Sequence, residues 1–219
     1  FIEKKNELLF HECAPQEMPH NASITVGVPL CFSAYTLWPL YSWFFKELGV
    51  AIVTSDAISE EGKAKVESAY CFPAEIAHGA VKNIFDKHVD YIFLPHSKEM
   101  KSYQNDARAT FCPITQGLPY YIEKAFDEIP KEKILSPVIS FKLSDTITED
   151  SFVNVAVKLG FSSEEGKRAF RLALQKQHEY FVKARKLGEE ALEFARKLNK
   201  PAIALLGRPY NAFTKDANM

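Results

Sequence analysis

The chain has 219 residues, about one and a half times a typical domain, so one large or two small domains fit and a sizeable core can form without disulfides. A composition that is 47% hydrophobic and 25% charged excludes disordered, collagen-like and low-complexity classes. With 27 Lys and Arg against 28 Asp and Glu the net charge is −1, and the basic excess of a dedicated nucleic-acid binder is missing.

Residues 1–22 read as a lead-in, with a short amphipathic stretch followed by Pro15, Pro19 and Asn21. Glu3, Lys4, Lys5 and Glu7 precede any apolar run, which is not the pattern of a signal peptide. A strand is predicted over Ser23–Val28, ended by Pro29, and a helix over Trp38–Leu48, ended by Gly49. The surrounding apolar run, 32–45, is broken by Ser33, Thr36, Pro39 and Ser42 and falls short of the ~20 residues that span a bilayer. A strand over Ala51–Thr54 and a helix over Glu60–Glu67 follow. Pro73 then suits a first helical turn, and Ala77, Ala80, Val81, Ile84 and Phe85 make one apolar face. Asp90–Leu94 is a continuous apolar strand stopped by Pro95, and the polar stretch 96–108 reads as a loop. Ala109–Cys112 is a brief strand, Tyr120–Glu128 a helix and Ile134–Phe141 a strand containing Pro137.

Strands alternating with helices predict an α/β fold, a Rossmann-like parallel sheet flanked by helices, over residues 23–160. Residues 161–200 read as one long connecting helix. It opens on the capping box Ser162-x-x-Glu165 and carries a stripe of Phe170, Ala173, Leu174, Phe181, Ala184, Ala191, Ala195 and Leu198. Its length predicts a kink near Gly188 or a link between two lobes. A strand over Ala202–Leu206 would then begin a second, truncated α/β lobe at 201–219. The pattern Val26-Gly27-Val28-Pro29 recurs there as Leu206-Gly207-Arg208-Pro209. The absence of an initiator Met adds to the reading of a piece of something longer, and a cytoplasmic protein is expected. Its four cysteines then read as thiols or metal ligands rather than disulfides.

Ligands of open parallel sheets sit at the carboxyl ends of the strands, and three of the four cysteines fall there. Cys31 follows the first strand, Cys112 ends the fourth, and Cys71 immediately precedes a helix start, where negative charge is stabilised. Cys71 therefore suits a thiolate ligand or nucleophile, while each cysteine alone also suits a small buried hydrophobe. Cys13 lies outside the sheet and is expected to be inert. His78, one turn into the helix after Cys71, and His96, after Pro95, point toward the same cleft; surface or half-exposed histidines are the competing readings. Arg208 is a candidate phosphate or carboxylate contact, or simply solvated. Glu123, Lys124, Asp127 and Glu128 read as a solvated helix face. Neither GxGxxG, GxxxxGK[ST] nor GxSxG occurs, so dinucleotide, P-loop and hydrolase readings have no motif behind them.

Several segments together resemble a known family. Gly27-Val28-Pro29, Ser68-x-x-Cys71-x-Pro73-x-Glu75-x-x-His78-Gly79, Asp90–Pro95, Cys112-Pro113 and Leu206–Asn211 are similar to the uncharacterised domain of CoA-substrate-specific enzyme activases, over roughly 5–219. Such proteins are related to activators of 2-hydroxyacyl-CoA dehydratases. The resemblance implies a lobe akin to dehydratase subunits, with a [4Fe–4S] or double-cubane iron–sulfur cluster held by cysteines at strand ends. Cys71 and Cys112 match that pattern, with His78 and His96 nearby, whereas Cys31 stands where a basic residue is usual. Four thiolates are the common complement, so further ligands would come from a partner subunit or the second lobe. An ATPase activator module and a second copy of the chain are the partners implied, and membranes and nucleic acid are not. Two functions stay open: an iron–sulfur electron-transfer or reductase module, and a non-enzymatic binding or docking module for the ATPase with structural cysteines. Zinc is a third option for the thiolates.

Overall fold

The computed structural model describes residues 1–19, 22–66, 71–101, 109–142, 145–199, 201, 203, 207–212, 214 and 217. Helix α1 (Ile2–Glu7) and a π-helical turn, Leu8–Glu12, are followed by β1 (Thr25–Val28), α2 (Ala34–Glu47), β2 (Ala51–Thr54), α3 (Glu60–Ala64), α4 (Phe72–Asp86) and β3 (Tyr91–Phe93). Then come β4 (His96–Glu99), α5 (Pro113–Gln116), α6 (Leu118–Ala125), β5 (Ile134–Leu135), β6 (Val138–Ser140), α7 (Thr146–Lys158), α8 (Ser163–Lys197) and α9 (Pro209–Ala212). The main sheet is parallel throughout, in the order β2-β1-β3-β5, and helices cover both faces, as the alternation of elements predicts. No described helix is long and apolar enough to cross a membrane.

Successive strand residues point to opposite faces, and this splits the interior into two cores. Val26, Val28, Phe93 and Leu135 pack under α2, α7 and α8, together with Leu8 and Leu9 of the N-terminal segment. Ile92 and Ile134 pack against Val81 and Ile84 of α4 and Ile122 of α6. Gly27 faces the second core, and a Cβ there would collide with Ile84, so the glycine lets α4 lie close on β1.

The structure corrects the sequence reading where proline interrupts a strand. Residues 96–99 form a strand, not a loop, and Ile134–Phe141 divides into β5 and β6. Pro95 and Pro137 lack an N–H, so the ladder cannot run straight through them. The chain bends instead: Leu94 N donates to Leu135 O at 2.8 Å and His96 N donates to Pro137 O at 2.9 Å. Beyond the bend, β4 and β6 pair in parallel as a second, two-stranded sheet. The strand expected over 109–112 reduces to one antiparallel bridge between Thr110 and Glu99. The helix expected over 60–67 ends at Ala64.

Helix α7 has no counterpart in the sequence reading, because its apolar residues bunch at 152–157 instead of forming a stripe. Helix α8 keeps the predicted capping box, Glu165 N to Ser162 Oγ at 3.3 Å and Ser162 N to Glu165 Oε2 at 2.8 Å. It runs through Gly188 as one element of 35 residues, ~52 Å at 1.5 Å per residue, so of the two expectations, a kink near Gly188 or a link between lobes, the kink is not found. Of the strand expected over 202–206, all but residue 203 lies outside the described residues, and Gly207-Arg208-Pro209 leads into the turn of α9.

A latch joins the amino ends of β1 and β3. The Asp90 carboxylate accepts from Thr25 Oγ1 at 2.7 Å and from Thr25 N at 2.8 Å. Those two bonds, the hydroxyl's first, hold the Asp90 carboxyl below its ordinary range. A depressed folded pKa adds stability that is present above the unfolded value and is lost as pH falls through the folded one. Asp90→Asn should therefore lower the thermal midpoint at pH 7 and lower it less in acid. Melting curves across pH check this, and an equal loss at every pH would argue against a charge-assisted latch.

Candidate functional site

In a sheet of order β2-β1-β3-β5 the connections from β1 and β3 leave in opposite directions, and a crevice forms between their carboxyl ends. Polar and aromatic side chains close it here. Ser97 Oγ donates to Ser33 Oγ at 2.9 Å, and the Tyr41 hydroxyl donates to the same oxygen at 3.0 Å, all of them buried. Phe32 adopts a left-handed backbone, φ 42°, a costly conformation for a bulky residue that aims its ring across the crevice mouth. There it meets Tyr210 of α9 edge to face, with centroids 5.1 Å apart. The space left between Leu30, Cys31, Pro73, Ile76 and Tyr210 is about 10 Å³, room for one water at most.

The four cysteines divide by environment. Cys13 packs in the first core, where its carbonyl accepts from Trp43 Nε1 at 2.8 Å, away from the strand ends. Cys31 is buried, and burial pushes its thiol up to about 12, so it is a neutral thiol at pH 7. Cys71 and Cys112 are only partly buried. Each is an N-cap, Cys71 of α4 and Cys112 of α5, and in each helix a proline follows in the first turn. Both helix starts lie at the carboxyl end of the sheet: α4 runs back toward the amino end of β3, and Cys112 follows the segment paired with β4.

Arg208, read from the sequence separately from the cysteines, reaches this region. The Tyr210 hydroxyl and the Cys112 thiol beside its guanidinium hold its pKa above the ordinary value, Tyr210 most strongly. His96 opens β4, with Nδ1 3.0 Å from Gln116 O and its ring 4.8 Å from that of Tyr120. Among the described residues, no three His, Cys, Asp or Glu side chains are grouped to hold a metal ion.

His78 belongs to a separate cavity of about 240 Å³, lined by Phe32, Lys65, Val66, His78, Leu118 and Lys124 among others. The ring is buried and stacked on Phe126 with centroids 6.0 Å apart. Nδ1 lies 2.8 Å from Ala74 O; since a carbonyl only accepts, Nδ1 carries the proton. Burial lowers the ring's pKa, and the bond to Ala74 raises it less. Neither Cys71 nor Cys112 lines this cavity. Lys65 and Lys124 are residues that the sequence reading misses, Lys124 having been assigned to a solvated face. The approach of Lys65 to His78 depends on α3 packing on α4: a Cβ on Gly62 would stand 2.6 Å from His78 O, and one on Gly79 2.9 Å from Ser59 O.

A family model described as the CoA enzyme activase uncharacterised domain matches residues 25–219. No curated protein matches the chain, and no solved structure does.

Proposed function

Because the chain belongs to the family of the CoA enzyme activase uncharacterised domain, we propose that it serves an activase system as an iron–sulfur module for electron transfer or reduction, with an ATPase activator as its partner. The observation that carries this is the division of the thiols: the two left partly exposed, Cys71 and Cys112, are the two that cap helices at the carboxyl end of the sheet. The described residues of one chain do not complete a ligand shell, since no group of three potential ligands forms among them. Two thiolates from each of two copies make the usual complement of four. Arg208 beside Cys112 would offset the negative charge of such a site.

Anaerobic reconstitution of the protein with ferrous iron and sulfide tests the reading. One cluster per two chains is expected, by iron analysis and by the EPR signal after reduction. Cys71→Ser combined with Cys112→Ser should abolish it, while Cys13→Ser should leave it intact. Absence of iron, or iron retained by the double variant, would overturn the proposal. The second reading is a non-enzymatic binding or docking module, in which the cysteines are structural. The cavity at His78, which involves neither cysteine, favours it.

A further inference from the structure

We infer that the cavity around His78 is a binding site for a small organic monoanion with an apolar body, of the size of a single-ring aromatic acid or a short-chain carboxylic acid. Three features of the cavity carry this. Its walls are mostly apolar, with Phe32, Val66 and Leu118 among the lining residues. At about 240 Å³ it lies just below the range of drug-sized sites and matches a ligand of one ring.

The second feature is His78 itself, 6% exposed and lining the cavity. Its Nδ1–H is committed to Ala74 O, which leaves Nε2 with a lone pair. Among the described residues Nε2 has no hydrogen-bond partner, and the ring lines the cavity. That lone pair faces the cavity and is open to a hydrogen bond from a ligand donor. The lowered pKa of the ring agrees with a neutral acceptor at pH 7.

Third, the rim carries excess positive charge. The Lys65 ammonium pairs with Glu128 at 2.8 Å and lies 5.2 Å from the centroid of Phe126. Lys124 has no ion-pair partner among the described residues. One cation at the rim is therefore compensated and one is not, which suits a single negative charge. A carboxylate at Lys124, an apolar body against Leu118 and a donor on His78 Nε2 would use all three features together. The inference does not involve the cysteines, so it stands or falls separately from the iron–sulfur reading.

The probe is 4-hydroxybenzoate, which joins a carboxylate, a ring and a hydroxyl donor. Ligand-observed NMR and calorimetry should show it binding more tightly than benzoate, which lacks the donor, or phenol, which lacks the charge. The ¹⁵N resonance of His78 Nε2 should shift on titration. Lys124→Ala should weaken binding about tenfold, the worth of one charge-assisted hydrogen bond, without moving the melting curve. Ala125→Trp, which fills the cavity from α6, should abolish it. No saturation by about 10 mM, far weaker than any specific site of this kind, would overturn the inference. So would binding unchanged in both variants, or benzoate and phenol binding as well as the probe.

Discussion

Replacing Phe152 with alanine should destabilise the fold by about 3–5 kcal/mol, the range for truncating a fully packed aromatic side chain. Phe152 has no solvent exposure, and its ring lies 4.8 Å from Phe44, 5.4 Å from Phe170 and 6.0 Å from Phe93, measured between centroids. Those three partners belong to α2, α8 and β3. One side chain of α7 thus ties two helices to the central sheet, and none of its neighbours can collapse into the gap without leaving another partner. Against a total stability of about 5–15 kcal/mol, such a loss is a large part of the whole. Urea denaturation followed by circular dichroism should show the midpoint falling steeply with the slope retained. Phe194→Ala is the control: Phe194 is 65% exposed on the distal part of α8, and its truncation should stay within about 0.5 kcal/mol. Equal losses in the two variants would mean that the aromatic cluster does not hold these layers together.

The elements that were legible in the sequence are those whose signals are local. Gly49, at φ +71°, ends α2 where a left-handed residue was expected, and Ser162 with Glu165 starts α8. The N-cap at Cys71 follows from Pro73, which suits a first helical turn, whereas α5 after Cys112 was not legible. Strand β4 was not legible because its sequence, His96-Ser97-Lys98-Glu99, has no strand character of its own. It is extended because β6 pairs with it across the two proline bends. The candidate sites divide in the same way. Thiols at strand ends can be placed by reading along the chain, whereas the meeting of Lys65, His78 and Lys124 depends on how α3, α4 and α6 pack. Burial at Cys31 is likewise not legible along the chain: its position after β1 places it at the strand ends, and only the packing around it shows that it is buried beside the left-handed turn at Phe32.

A defect in α2 leads to the remaining prediction. Pro39 stands inside this helix, and Leu37 departs from helical geometry with φ −113° and ψ 17°. A proline in a helix removes one hydrogen bond and pushes the preceding turn open, leaving backbone groups to be satisfied elsewhere. Gln177 of α8, 2% exposed, supplies that satisfaction. Its Oε1 accepts from Leu40 N at 3.2 Å, and its Nε2 donates to Thr36 O at 2.9 Å. The carboxamide therefore stands between a donor and an acceptor one helical turn apart, and it fixes where α8 crosses α2. Gln177→Met keeps the length and volume of the side chain but strands both backbone groups in an apolar interior. At about 1–3 kcal/mol for each of the two buried unsatisfied groups, the expected cost is about 2–6 kcal/mol. Chemical denaturation should report that loss, and hydrogen exchange should show the Leu40 amide losing protection. Gln175→Met is the comparison, because Gln175 is exposed on the same helix and, among the described residues, bonds only to Glu179 at 3.1 Å. If the two methionine variants are equally stable, the open turn of α2 does not depend on α8.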